Sequence, residues 1–305
     1  MTGNALRRAL LALTFVAAAL LSSCGGSTIA SALVPSRMIA FGDGMSDVGE
    51  VTGKRWTVND GSVNVWAEQV ATSYGMSLTA ADQGGWGYAR GGTKVADIAV
   101  QIDAFLAKSS FGQNDVVMVS AGMADIRDQM DLYMAGQLPY QQLLENVDLA
   151  GRNYGAVVQR LVNAGAKHIL VTGVYGLGTS PYARALNQVA LMNKLSYDGD
   201  TCTGCSRAFN QAFLIAINKL GADVLYVDSA NYFNSVYTNP GNYLGSGANA
   251  DDIACTTLLV TECTPDTIVA GANYNVYMFA SDLYLTPTSH RLFGVQAYNN
   301  IRGRW

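Results

Sequence analysis

Ile39-Ala40-Phe41-Gly42-Asp43-Gly44-Met45-Ser46-Asp47 is the stretch on which the reading of this chain turns. Met38 to Phe41 is a short, continuous apolar run that ends on two glycines around Asp43, as a strand buried in a parallel sheet does when it runs into a tight turn. Ser46 followed by Asp47 after a Gly-rich turn is the pattern that caps a helix. In open α/β sheets ligands gather at the carboxyl ends of the strands, so the polar residues of this turn stand where chemistry is expected.

Working outward, stretches of strand type alternate with longer segments of helical period. The strands are read at Met38 to Phe41, Val116 to Ser120, His168 to Val174 and Val224 to Val227, and the helices at Val63 to Tyr74, Ile98 to Lys108, Tyr140 to Asn163 and Ser206 to Leu220. In the last of these, Phe209, Phe213, Ile217 and Leu220 share one face and Gly221 stops the helix. A closing helix begins near Pro287, capped by Thr286. The alternation predicts an α/β fold with a mainly parallel sheet covered by helices. Ser229 to Asn275, rich in Asn, Gly and Tyr, reads as a long loop insertion near the strand ends, where such insertions shape ligand sites.

The first residues concern the compartment. Arg7 and Arg8 precede an apolar run, Ala9 to Leu21, too short to span a bilayer, and small residues follow. Residues 1–23 therefore read as a secretion signal. Leu21-Ser22-Ser23-Cys24 resembles a bacterial lipobox, in which cleavage before the cysteine leaves a lipidated amino terminus; the alternative is an ordinary signal peptide that happens to end near a cysteine. Lipidation at Cys24 would anchor the protein to a membrane, and Gly25 in place of Asp matches the pattern that directs bacterial lipoproteins to the outer membrane. Residues 24–36 read as a flexible tether and 37–305 as a single domain. The net charge of −4 becomes more negative once Arg7 and Arg8 leave with the leader, which argues against a nucleic-acid partner.

Of the five cysteines, Cys202, Cys205, Cys255 and Cys263 remain beside Cys24. In an oxidising envelope an even set suggests two disulfides. Local pairs, 202 with 205 and 255 with 263, are preferred, with cross-pairing as the alternative. A redox or zinc role for Cys202-Thr203-Gly204-Cys205 is disfavoured, because the pair lies in a loop and has no histidine near it.

The opening stretch resembles the F-G-D-S-L-S-D block of the GDSL, or SGNH, ester hydrolases, and three further blocks follow in the family's order. Gly84 to Thr93 is similar to its second block, Val119 to Asp125 to its third and Ser281 to His290 to its last; Asn64 to Ala71 looks like the helix after the first. The resemblance implies a three-layer α/β/α, flavodoxin-like fold and hydrolysis of acyl esters without a cofactor or metal. It also implies a working part for each block: a nucleophilic serine, a backbone donor and an asparagine for the oxyanion, and a carboxylate with a histidine. Here those positions fall on Gly44, Gly92 (or Gly91), Ala124, Ser281 and Tyr284. A phenol with a pKa of about 10 does not replace the histidine as base. Moving the last block by one residue brings Asp282 into place but puts Leu285 at the histidine position.

The chain has two histidines. His168 opens a strand at the end remote from the expected site, so His290 is the one candidate base, against its reading as a packing residue of the closing helix. A relocated triad would use Ser46, His290 and Asp282. Asp43, Asp47 and Asp125 could hold a cation, but such residues more often bond loop amides and cap helices.

The missing residues favour a pseudo-hydrolase of the cell envelope that binds a lipid, ester or glycan ligand. Its rivals are an active esterase using relocated residues and a structural envelope lipoprotein. A crevice filled by the protein's own side chains would be the mark of the last.

Overall fold

In the computed structural model, residues 32–196, 208–257 and 259–305 are described. Residues 1–23, read above as a secretion signal, Cys24 and the pair Cys202 and Cys205 lie outside them. The elements run β1 (Arg37–Gly42), α1 (Trp66–Ser73), α2 (Ile98–Leu106), β2 (Asp115–Ser120), α3 (Met123–Met134), α4 (Tyr140–Asn163), β3 (His168–Thr172), α5 (Pro181–Ala185), α6 (Val189–Ser196), α7 (Phe209–Ile217), β4 (Val224–Val227), α8 (Ser229–Thr238), α9 (Pro240–Leu244), β5 (Asn249–Ile253), β6 (Tyr277–Phe279) and α10 (Pro287–Arg304). Strands β1, β2, β3 and β4 form a parallel sheet in that order, flanked by helices. No helix among the described residues is long and apolar enough to cross a membrane.

The register sets Gly42, Ser120 and Thr172 side by side in one row, with Asp43 just beyond it. Residues 86–90 run parallel along the free side of β1: Ala40 N–H donates to Trp86 O (3.0 Å), Tyr88 N–H to Ala40 O (2.7 Å) and Arg90 N–H to Gly42 O (3.0 Å). This irregular edge delivers Gly91 and Gly92 to the same end of the sheet. The Gln101 side chain supplies what a regular neighbour would, accepting from Gly42 N–H (2.7 Å) and donating to Gly42 O (2.9 Å).

Helix packing depends on small residues where backbones meet. A Cβ on Gly151 of α4 would lie 2.4 Å from Phe209 O, and one on Gly155 2.2 Å from Ala216 Cβ, so glycine lets α4 and α7 approach closely. Between those glycines Tyr154 stacks on Phe213, with centroids 4.1 Å apart, and donates to Val119 O (2.9 Å). Its hydroxyl is thereby satisfied in a dry core, as buried polar groups must be. Elsewhere Trp66 of α1 meets Phe293 of α10.

Four expectations change. Helix α7 ends at Ile217, so Leu220 lies beyond it and Gly221 opens a separate turn before β4. Helix α1 starts at Trp66, three residues later than read, because Glu68 takes the amides of Asn64 (2.9 Å) and Val65 (3.1 Å) and so ends the extended approach. Strand β3 stops at Thr172 because side chains replace its ladder: Val174 N–H donates to Asn210 Oδ1 (2.9 Å), Asn210 Nδ2 to Val174 O (2.7 Å) and Ser229 Oγ to Gly173 O (3.0 Å). The segment read as a loop insertion from Ser229 begins instead with helices α8 and α9, whose Phe233 is buried against Phe293. Asp228 caps α8 by accepting from Asn231 N–H (2.9 Å), so Asn and Tyr here serve an amphipathic helix.

Gly42 has φ +119°, and a Cβ there would lie 1.8 Å from Ser120 O. Both the backbone angle and the contact exclude a side chain. Gly42→Ala is expected to lower unfolding free energy by roughly 3 kcal/mol or more in chemical denaturation. A change below about 0.5 kcal/mol would show that this row of the sheet is not tightly fixed.

Candidate functional site

The turn after β1 is held by a buried polar chain. Trp66 Nε1 donates to Ser46 Oγ (3.0 Å), the Ser46 and Ser120 hydroxyls share a bond of 2.7 Å, and Ser120 Oγ donates to Asp43 Oδ1 (2.8 Å). Because each hydroxyl has one proton, Ser46 must donate to Ser120. Asp43 also accepts from the amides of Met45 (3.1 Å) and Met123, which ties the first turn to the start of α3. Burial pushes the Asp43 carboxyl up, against the lowering effect of these hydrogen bonds.

Asp47 and Asp125 are used in the same way. Asp47 accepts from Gly49 (2.8 Å), Glu50 (3.0 Å) and Gly91 (2.8 Å), so it joins the first turn to the segment carrying Gly92. Asp125 accepts from Val95 N–H (3.0 Å), and burial first, then the nearby Asp43, pushes its carboxyl up to about 6. Among the described residues no group of acidic, histidine or cysteine side chains forms a metal site. These three carboxylates bind loop amides.

The geometry brings Gly44, Gly91 and Tyr284 together around a residue the sequence reading passed over, Trp56. A Cβ on Gly91 would lie 1.7 Å from Trp56 Cε2 and Nε1; one on Gly44 would lie 2.7 Å from Tyr284 Cε1 and 3.0 Å from Trp56 Cγ. The indole and phenol rings pack with centroids 4.8 Å apart, tilted by 50°. Tyr284 is buried, and burial, with Asp43 nearby, pushes its hydroxyl far above the ordinary range and keeps it neutral. Ser281 accepts from Tyr284 N–H (3.3 Å) and touches Asp282 Oδ1 (3.3 Å), shaping the turn that presents the ring. Ala124 lies in the first turn of α3 with only a methyl group to offer.

Trp56 is pinned from several sides. Asn59 accepts from Arg55 N–H (2.8 Å) and donates to Arg55 O (3.0 Å) and Thr57 O (3.1 Å), which closes the loop around the indole. Asn59 N–H donates to Cys263 O (2.8 Å), and Thr57 Oγ1 to Leu285 O (2.7 Å). Cys263 is disulfide-bonded to Cys255, whose N–H donates to Ala280 O (2.9 Å) just before the Ser281 turn. The bond thus links the chain that seats Trp56 to the chain that presents Tyr284.

Ser46, His290 and Asp282 do not form a triad. The Ser46 hydroxyl is fully buried and committed to Trp66 and Ser120; no helix follows it, so it is not a helix cap either. Neither ring nitrogen of His290 has a partner among the described residues, and burial drives its pKa down from 6.5 to about 3. Asp282 is half-exposed and pairs with Arg127 (3.0 Å). His290 is a packing residue of α10, and His168 opens β3 as read.

The GDSL-like Lipase/Acylhydrolase family matches residues 38–277, which leaves the Ser281 to His290 turn beyond the match. No curated protein sequence matches the chain.

His290 gives a stability prediction with a definite sign. Between its native pKa of about 3 and its ordinary 6.5, the unfolded chain binds a proton the native one refuses, so stability falls as pH drops through this window. Asp125, raised to about 6 from 3.8, acts in the opposite direction, losing stability as pH rises, and so masks part of the slope. His290→Leu removes only the first effect. The variant is expected to gain on the wild type by about 1.4 kcal/mol for each pH unit below 6, measured by urea denaturation down to pH 4. Parallel curves would mean that the imidazole is solvated.

Proposed function

Because the chain belongs to the GDSL-like lipase/acylhydrolase family, whose reaction is acyl-ester hydrolysis, we propose that it is a pseudo-hydrolase, an envelope lipoprotein anchored through Cys24 that binds a lipid, ester or glycan without cleaving it. The occupancy of the crevice carries the non-catalytic part of this reading, and the open cleft beside Trp56 the binding part. At Gly44, where the family's serine would stand, the Trp56 and Tyr284 rings lie within 3.0 Å of the missing Cβ position.

Supporting it, each replaced group removes a separate step. Gly44 has no side chain to attack a carbonyl, Tyr284 is a neutral phenol that does not accept a proton, and Ala124 has no donor for an oxyanion. Loss of the nucleophile or the base in a serine hydrolase costs on the order of a millionfold in turnover. The relocated candidates offer no rescue, since Ser46 faces Trp66 and Ser120 and His290 faces neither it nor Asp282.

The filled crevice also favours a second reading, a purely structural envelope protein. Against that stands an open cleft of ≈ 610 Å³ on the outer side of Trp56, within the size range of small-ligand sites.

Hydrolysis of short- and medium-chain p-nitrophenyl esters tests the proposal, with Ser46→Ala, His290→Ala and Gly44→Ser beside the wild type. All four are expected at the rate of buffer. Gly44→Ser gains nothing because its Cβ would press on Tyr284 and no imidazole is there to activate the hydroxyl. Turnover by the wild type that Ser46→Ala and His290→Ala both abolish would overturn the reading.

A further inference from the structure

Away from the crevice, an open cleft of ≈ 520 Å³ lies beside β4, the strand that has β3 on one side and no neighbour on the other among the described residues. Two strands separate β4 from β1, which by sheet spacing alone sets the cleft on the order of 14 Å from the turn at Gly44. Its walls are one side of α7, where Gln211, Leu214, Ile215 and Asn218 follow at helical spacing, the start of α8 and the end of β4.

What the cleft can hold follows from which of its groups are free. Asn210 is not, because it is bonded at both ends to Val174. The side chains of Gln211, Asn218, Asn231 and Asn234 and the Tyr226 hydroxyl have no hydrogen-bond partner among the described residues, and Gln211 Oε1 is buried as well. Asp228 caps α8 with one oxygen and leaves the other open. Burial, with Asp228 nearby, pushes the Tyr226 hydroxyl up and keeps it a neutral donor. No lysine, arginine or histidine lines the cleft.

A carboxamide offers a donor and an acceptor side by side. The group that answers both is one that also donates and accepts, an alcohol hydroxyl. Four carboxamides, a phenol and a carboxylate on one concavity match several hydroxyls carried on one ring. Beside them Leu214 and Ile215 are 39% and 48% exposed, which leaves carbon surface for the C–H face of a sugar. An anion meets Asp228 without a compensating cation, and an acyl chain would cover the carboxamides and leave them unpaired. Of β4 only Tyr226 and the adjoining Asp228 reach the cleft, too little edge for an added peptide strand. The buried Gln211 Oε1 points the same way: a buried acceptor without a donor is rare in a folded chain, and an O–H entering from the cleft supplies one.

We infer that this cleft is a second binding site, apart from the crevice, for a neutral saccharide whose hydroxyls pair with the carboxamides and Asp228 and whose C–H face rests on Leu214 and Ile215. The site goes beyond the reading of the crevice and does not rest on it.

The test is titration of the isotope-labelled protein with cellotetraose, maltotetraose and chitotetraose, followed by heteronuclear NMR, in which side-chain amide resonances report the named groups directly. At up to about 10 mM, enough to saturate a site with a Kd of about 1 mM, at least one of these sugars should shift the side-chain amides of Gln211, Asn218, Asn231 and Asn234 together. Gln211→Leu and Asn234→Leu should each weaken that sugar about threefold or more, and the pair at least tenfold, with circular dichroism unchanged. Gln211→Leu should also hold or raise the urea midpoint, since it removes an unpaired buried acceptor; loss of binding is thereby distinct from loss of fold. Gln296→Leu, exposed on α10, should leave affinity as it is. No shift with any of the sugars, unchanged affinity in the double variant, tighter binding of tetragalacturonate, or equal shifts with tetra-alanine would each overturn the inference. Ester turnover bears on the crevice alone and this titration on the cleft alone, so the two readings fail separately.

Discussion

The contact on which this site depends is that of the Trp56 indole with backbone where no Cβ can fit. At Gly91 the indole takes the place a methyl group would need, and at Gly44 it shares that place with the Tyr284 phenol. Close packing leaves no slack for a side chain in such positions. Glycine at position 44, which the family resemblance aligns with the serine, is therefore also a packing requirement. It belongs to a packed arrangement in which two glycines and two aromatic rings fit one another, and replacing one without the others creates either overlap or a void.

Beneath that layer lies a rigid turn at the carboxyl end of β1. The row Gly42, Ser120 and Thr172, the edge at residues 86–90 and the Asp43–Ser120–Ser46–Trp66 chain fix the loop after β1 in a dry interior. A buried polar chain is stable only when its members are all satisfied, and here the donors and acceptors match. The polar residues that survive from the family pattern hold backbone in place. The space beside Gly44 and Gly91 is occupied by the Trp56 and Tyr284 rings, held on either side of the Cys255–Cys263 bond.

Much of this was legible in the sequence, for reasons that differ from residue to residue. β1, β2 and β4 are legible to within a residue at each end because each is a short, continuous apolar run, although β4 is a half-buried edge strand. The pairing of Gly44 with Tyr284 could be read from the order of the blocks. Trp56 could not: it lies in a loop with no periodicity, and its importance appears only once the absent Cβ atoms of Gly44 and Gly91 are placed near it in space. Ser46 was misread for a related reason, since a serine after a Gly-rich turn looks alike whether it caps a helix or bridges a tryptophan and a second serine. The start of the supposed insertion was misread because its Asn and Tyr content suggested a loop, whereas Phe233 and Val236 turn one face of α8 to the core.

The central claim is that the crevice contains no activated serine. Intact-mass measurement after exposure to a fluorophosphonate probe, which forms a covalent adduct with the nucleophile of working serine hydrolases, addresses it without any assumption about substrate. The account predicts an unchanged mass after prolonged exposure at neutral pH. One adduct per molecule, mapped to Ser46 or to any other serine, would contradict it.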